Sequence, residues 1–220
     1  MYKNMTSNIK QSLFCLILVI STSLFSTSAF SATFENVGPP VFNIEKIGKH
    51  KLNSINQIMQ DNLGFVWLVT KDGLFRYDSK ELRQFLGHEQ FSIDKVTDIV
   101  EGRPGHIWIA TRTNGLVHFN TITTKLTFHH LEETFELTSP SNEVDQLTYK
   151  NGNLYLASKN QLLLINETSL AVNKHIALPI SDSDFLVDIM IDSRDRIWIS
   201  SLGTSGVIML NGDEVKHFQH

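Results

Sequence analysis

Four stretches of this chain are variations on one text, and that constrains its fold more than any other feature. Aligned on the aromatic residue after each turn, Trp67, Trp108, Tyr155 and Trp198 lie 41, 47 and 43 residues apart. The copies start at Ile55 (INQIMQDNLGFVWLVTKDGLFRYD), Val96 (VTDIVEGRPGHIWIATRTNGLVHFN), Val144 (VDQLTYKNGNLYLASKNQLLLIN) and Leu186 (LVDIMIDSRDRIWISSLGTSGVIMLN). A period in the low forties marks a repeat architecture, in which each unit needs its neighbours to hide its apolar surface.

Each copy holds four short runs of strand character. The first is Ile55–Met59, Val96–Val100, Val144–Thr148 or Leu186–Ile191. A polar turn follows, with Gly64, Gly105, Gly152 or Asp195 three residues before the aromatic. The second run is FVWLVT, HIWIAT, NLYLAS or RIWISS, and a second turn carries Gly73, Gly115 or Gly206. The third ends at Asp78, Asn120, Asn166 or Asn211, and the fourth and weakest is Leu82–Phe85, Leu126–Phe128, Leu170–Val172 or Val215–Phe218. β-Branched and aromatic enrichment with Gly, Asn and Asp punctuation reads as strands, and no long helical period follows residue 33. The expected class is all-β. Four-stranded antiparallel sheets with two apolar faces become stable by stacking around an axis as β-propeller blades. The expected blades are 52–86, 93–130, 142–175 and 184–220, within a repeat domain of 33–220. Trp67, Trp108, Tyr155 and Trp198 are then the wedges between sheets, structural residues rather than ligand residues.

The first thirty-two residues read as a signal peptide. Lys3 and Lys10 precede the apolar stretch Leu13–Ile20, and a small, polar segment follows with Ala29-Phe30-Ser31 as a cleavage site. The apolar stretch is too short for a spanning helix. Cys15 opens that stretch rather than closing it, which does not suit lipid attachment. It is the single cysteine, so a disulfide scaffold and a Cys-based zinc site are excluded. The mature chain keeps 17 basic against 23 acidic residues, a net charge of −6. With no basic run, a nucleic-acid partner is not expected. A periplasmic or secreted location is.

No catalytic constellation is legible. The nine histidines show no helical i, i+4 pair or other ligand spacing, so no metal site is expected. The adjacent His129 and His130 point to opposite faces of a strand. There is no phosphate loop and no nucleophile elbow, and no cofactor is expected. Two columns remain as candidate ligand residues. Lys71, Arg112 and Lys159 stand four residues after their aromatics, with Leu202 breaking the pattern. They fall in turns on the rim shared with the blade-to-blade connections, and could draw an anion there; the plainer reading is solvated turn charges. Gln57, Asp98, Gln146 and Asp188 lie inside the innermost strands. They either edge a central channel and bind a small ligand there or satisfy one another, since buried polar groups need partners.

Gln60 to Asp78, QDNLGFVWLVTKDGLFRYD, resembles the two-component regulator propeller repeat, whose pattern is Gln-Asp, two residues, Gly-Phe-apolar-Trp-apolar, then Gly-Leu and an Arg-Tyr-Asp-like end. The second and fourth copies keep the Trp and turn spacing; the third has Tyr155 for Trp and Gln161 for the second-turn Gly. The resemblance covers about residues 41 to 218. It implies the periplasmic sensor propeller of a hybrid histidine kinase or diguanylate cyclase, with a small-molecule or glycan ligand and no catalysis in the propeller itself. Such rings close with about seven blades, so four copies imply an incomplete ring, and a chain that is the N-terminal part or a truncated relative of a longer sensor. A closed four-blade ring is the runner-up. Attachment to a membrane would come only through missing downstream segments, and open blade faces are expected to self-associate. Two other function classes fit a propeller: an exported lyase or glycan-processing enzyme, and a protein–protein interaction platform.

Overall fold

The structure, a computed structural model, describes residues 52, 54–87, 96–135 and 142–218. The segment read as a signal peptide lies outside the described residues. The described chain is all-β: four four-stranded antiparallel sheets, each running in chain order from first to fourth strand. The first sheet comprises β1 (Ile55–Gln60), β2 (Val66–Thr70), β3 (Gly73–Tyr77) and β4 (Leu82–Gly87). The second comprises β5 (Val96–Glu101), β6 (His106–Thr111), β7 (Leu116–Asn120) and β8 (Lys125–His129), followed by the one-turn helix α1 (Leu131–Phe135). The third comprises β9 (Gln146–Lys150), β10 (Asn153–Ser158), β11 (Gln161–Asn166) and β12 (Val172–Ala177). The fourth comprises β13 (Phe185–Ile191), β14 (Ile197–Leu202), β15 (Val207–Asn211) and β16 (Glu214–Phe218). First strands lie side by side, β1 with β5, β5 with β9 and β9 with β13, so they form the inner edge of the stack.

Two strands of the third sheet depart from the sequence reading. The first is Gln146–Lys150 rather than Val144–Thr148, because the Val144 amide donates to the Thr111 carbonyl of the second sheet at 2.8 Å. The last strand of the third sheet starts at Val172, because Asn166 to Ala171 make a capped turn instead. The Asn166 side-chain oxygen accepts from the Thr168 and Ser169 amides at 3.1 and 3.0 Å, and Leu170 takes a φ of 58°. Leu170 therefore packs from a turn against the core of the second and third sheets rather than from a strand.

The register places the aromatic wedges at equivalent points. Trp67 pairs with Met59 and Arg76, Trp108 with Val100 and His118, Tyr155 with Thr148 and Leu164, and Trp198 with Met190 and Met209. Each sheet covers the wedge of the one before it. Trp67, Val69 and Leu74 pack on Ile107, Ile109, Val117 and Phe119 of the second sheet. Trp108, Ala110 and Leu116 pack on Leu147, Leu154, Leu156 and Leu163 of the third. Tyr155, Ala157 and Leu162 pack on Ile197, Ile199 and Ile208 of the fourth. Trp67 and Trp108 are consequently 1% and 2% exposed. Among the described residues, nothing covers Trp198 in this way. It is half-buried, stacks on Phe218 at 5.6 Å and borders an apolar recess with Met190, Ile199 and Val207.

Each buried indole N–H requires an acceptor, and the sheets meet that need in two ways. Trp67 Nε1 donates to Asp61 Oδ2 at 2.9 Å, and Trp198 Nε1 to Asp192 Oδ2 at 3.1 Å. Both aspartates stand six residues before their Trp, in the turn after the first strand. The second sheet has Gly102 at that place. Its backbone makes the same turn, with the amide donating to the His106 carbonyl at 2.9 Å as those of Asp61 and Asp192 do to Phe65 and Arg196. Glu167, from the third sheet, fills the vacancy. Its carboxylate accepts from Trp108 Nε1 at 3.1 Å and from the Arg103 amide at 3.0 and 3.1 Å. A Cβ on Gly102 would come within 2.3 Å of Glu167 Oε1, so the glycine and the foreign carboxylate require each other.

Candidate functional site

The rim predicted to carry ligand is built by the turns after the second strand of each sheet. Gly73 pairs with Gly87 and Val96 with Thr111, so the fourth strand ends, and the next sheet begins, at this same rim. A buried hydroxyl closes these turns in the first two sheets: Thr70 Oγ1 donates to the Gly73 carbonyl at 3.2 Å and Thr111 Oγ1 to that of Gly115 at 2.8 Å. In the third sheet the turn is shorter, with Lys159 at a φ of 51°, and Ser158 Oγ donates instead to the Glu143 carbonyl at 2.6 Å.

Lys71, Arg112 and Lys159 stand on this rim, each on its own sheet. Lys71 is exposed in the β2–β3 turn. Arg112 is turned onto Glu143, with 3.2 Å between Nη1 and Oε1. Lys159 borders a cleft of about 380 Å³ between the third and fourth sheets, lined also by Glu143, Asp145, Asn160, Asp182, Asp184 and Phe185. The cleft carries more carboxylate than ammonium, although much of that carboxylate is engaged in the fold. Asp145 Oδ2 accepts from the Lys159 amide at 2.6 Å. Asp184 accepts from the Thr204 and Ser205 amides at 3.1 and 2.6 Å. Bonds from Ser205 and Thr204 hold the Asp184 carboxyl below its ordinary range. Phe185, 69% exposed, stands at the lip as a bare apolar surface beside these polar groups.

The inner polar column splits. Gln57 Nε2 donates to the Thr97 carbonyl at 2.7 Å, joining the first sheet to the second. Asp98 accepts from the Leu147 amide at 2.9 Å and from Ile99 at 2.8 Å, joining the second to the third, where Thr97 Oγ1 also donates to the Val144 carbonyl at 2.6 Å. Gln57 and Asp98 thus stitch neighbouring inner strands. Gln146 is half-buried on β9, while Asp188 is exposed on β13 and borders the recess beside Trp198.

Burial pushes the Asp98 carboxyl up to about 6 against the pull of the two amides, and the Asp188 charge adds to the rise. The folded state therefore holds the Asp98 proton more tightly than the unfolded chain, so this group's contribution is present at low pH and is lost as pH rises through about 4 to 6. Asp98→Asn abolishes that titration. Its destabilisation in urea melts is expected to be larger at pH 5 than at pH 7 by about 1 kcal/mol, and an equal cost at both would contradict the assignment.

Sequence reasoning missed Glu167, Gly102 and the pairing of His106 with His118 described below. The signal for the first two was present: Asp occurs six before the Trp in copies one and four, Gly in copy two, and Glu directly after Asn166 in copy three. Among the described residues, no group of three or more His, Cys, Asp or Glu side chains converges on a point that could hold a metal ion.

No family profile and no curated protein sequence matches this chain. Solved structures are. The extracellular domain of the hybrid two component system BT3049 from B. thetaiotaomicron aligns over 78% of this chain and 24% of its own length, with a TM-score of 0.58 and 21% identity. That of BT4673 from the same organism aligns over 76% and 21%, with a TM-score of 0.57 and 17% identity. A catalytically inactive virginiamycin B lyase from Staphylococcus aureus, with quinupristin, aligns over 80% and 59%, with a TM-score of 0.63 and 13% identity. These likenesses define the class by fold, a β-propeller. This chain spans less than a quarter of each of the two extracellular domains and about three-fifths of the lyase.

Proposed function

We propose that this chain is a non-catalytic, extracytoplasmic sensor module whose small-molecule or glycan ligand binds the rim cleft between the third and fourth sheets. The observation that carries the reading is the cleft itself. It lies on the rim where turns and inter-sheet connections meet, it pairs an exposed Phe185 with Lys159, Asn160 and Asp182, and one wall belongs to each sheet. A ligand held by both walls would favour one packing of the two sheets over another, which is what a sensor requires. The sequence resemblance of Gln60–Asp78 and the fold shared with extracellular domains of two-component systems support the signalling role. No helix among the described residues is long and apolar enough to cross a membrane. The apolar recess beside Trp198, which no described residue fills, supports self-association or cover by a further sheet.

Thermal-shift screening against sugars, peptides and small anions tests the cleft. A ligand that raises Tm in the wild-type protein, and no longer does so in Phe185→Ala or Lys159→Ala, is the expected result. The site fails if a ligand binds both variants as well as it binds the wild type. The second reading, an exported lyase, rests on the fold shared with virginiamycin B lyase; turnover of a screened compound would favour it.

A further inference from the structure

His106 on β6 and His118 on β7 face each other diagonally across a hairpin, with His106 Nδ1 and His118 Nε2 2.7 Å apart. Their ring planes differ by 7° and their centroids are 4.9 Å apart. That separation is the N···N distance plus two ring radii, so the rings lie end to end in one plane, and a single proton sits between them. The face of His118 is stacked on Trp108, with centroids 4.4 Å apart and planes 24° apart. Trp108 is the wedge of this joint, and its indole N–H is held by Glu167 of the next sheet. The charged and titratable groups around the pair are Arg103 from the turn before β6, His129 from β8 and Glu167 from the third sheet.

We propose that the His106–His118 bridge is an acid-sensitive latch on the joint between the second and third sheets. At neutral pH one ring donates an N–H to the bare nitrogen of the other. The first added proton settles on the outward nitrogen of the donor ring, for which His106 at the sheet margin is suited, and the bridge survives. A second added proton must go to the bridging nitrogen of His118. Two N–H groups then point at each other across 2.7 Å, and the rings must part. Movement of His118 uncovers the indole that Glu167 holds, so the event reaches the next sheet. Burial, the His106 and His129 charges and Arg103 push His118 down to about 4, with Glu167 opposing, which puts the opening in distinct acid. The two rings titrate as a coupled pair.

The test follows the Trp108 indole N–H signal by ¹H–¹⁵N NMR as pH falls from 7.5, with far-UV circular dichroism to mark global unfolding. In the wild type the signal is expected to shift with a midpoint near 4, before the circular dichroism changes. His106→Gln keeps a side-chain donor for His118 and removes the neighbouring charge, so the midpoint should rise by roughly one pH unit. His118→Phe keeps a ring on Trp108 and should abolish the shift. A wild-type signal that stays fixed until the protein unfolds would overturn the latch. So would an unchanged midpoint in His106→Gln, or a persisting shift in His118→Phe.

Discussion

Gly102→Asp is expected to destabilise the protein by about 3 kcal/mol, and adding Glu167→Ala is expected to restore most of the loss. The glycine carries no side chain because Glu167 occupies the place that Asp61 and Asp192 occupy in their own sheets. A new carboxylate at 102 would meet Glu167 Oε1 within van der Waals radii, and two like charges would share one buried slot. Glu167→Ala alone strands the buried Trp108 indole N–H, at about 1–3 kcal/mol, and releases the amide of the exposed Arg103 to solvent. If the two costs were additive, the double variant would lose about 4–6 kcal/mol; the expected loss is less than about 2. Recovery stays incomplete because Pro104 has no N–H to offer the transplanted carboxylate, where Leu63 donates one to Asp61 at 3.0 Å. Urea melts of the four proteins measure the coupling. Additive costs would mean that Glu167 is not the stand-in for the missing aspartate.

The second large effect separates two tryptophans with the same register. Trp67→Ala should cost about 3–5 kcal/mol, the usual price of truncating a buried aromatic. Trp67 is 1% exposed, with Phe85 and Phe119 against its ring at 5.0 and 6.3 Å and the Arg76 guanidinium 5.6 Å from it. Trp198→Ala should cost less than half as much, about 1–2 kcal/mol, because one side of its ring borders a recess that no described residue fills. The contrast rests on neighbours, not on residue type. Equal costs, read from denaturant midpoints at constant m-value, would mean that the sheets do not bury each other's wedges in sequence.

What the sequence made legible follows from periodicity. Alternation of period two fixed the strands, and the aromatic after each turn fixed their phase, so the register of Trp67, Trp108, Tyr155 and Trp198 could be anticipated. The joints were not legible, because their partners come from different copies. Glu167 reaches Trp108 across 59 positions, and Asp98 reaches Leu147 across 49. His106 and His118 are 12 apart, a spacing with no meaning until the β6–β7 hairpin sets Trp108 opposite His118. The rim cations were visible as a column, but their charge environment was not. Glu143, which pairs with Arg112 and lines the cleft beside Lys159, lies before a strand of the next sheet and carries no repeat signal of its own.

The rim, the joints between sheets and the ordered cores all depend on each sheet covering the aromatic wedge of the sheet before it. Nuclear Overhauser contacts from the tryptophan rings to labelled methyl groups read this directly. The Trp108 ring should show contacts to Leu147, Leu154 and Leu156 of the third sheet, and the Trp67 ring to Val117 of the second. Contacts confined to methyl groups of each tryptophan's own sheet would contradict the stacked-sheet architecture, and with it the rim, the joints and the proposed sensor role.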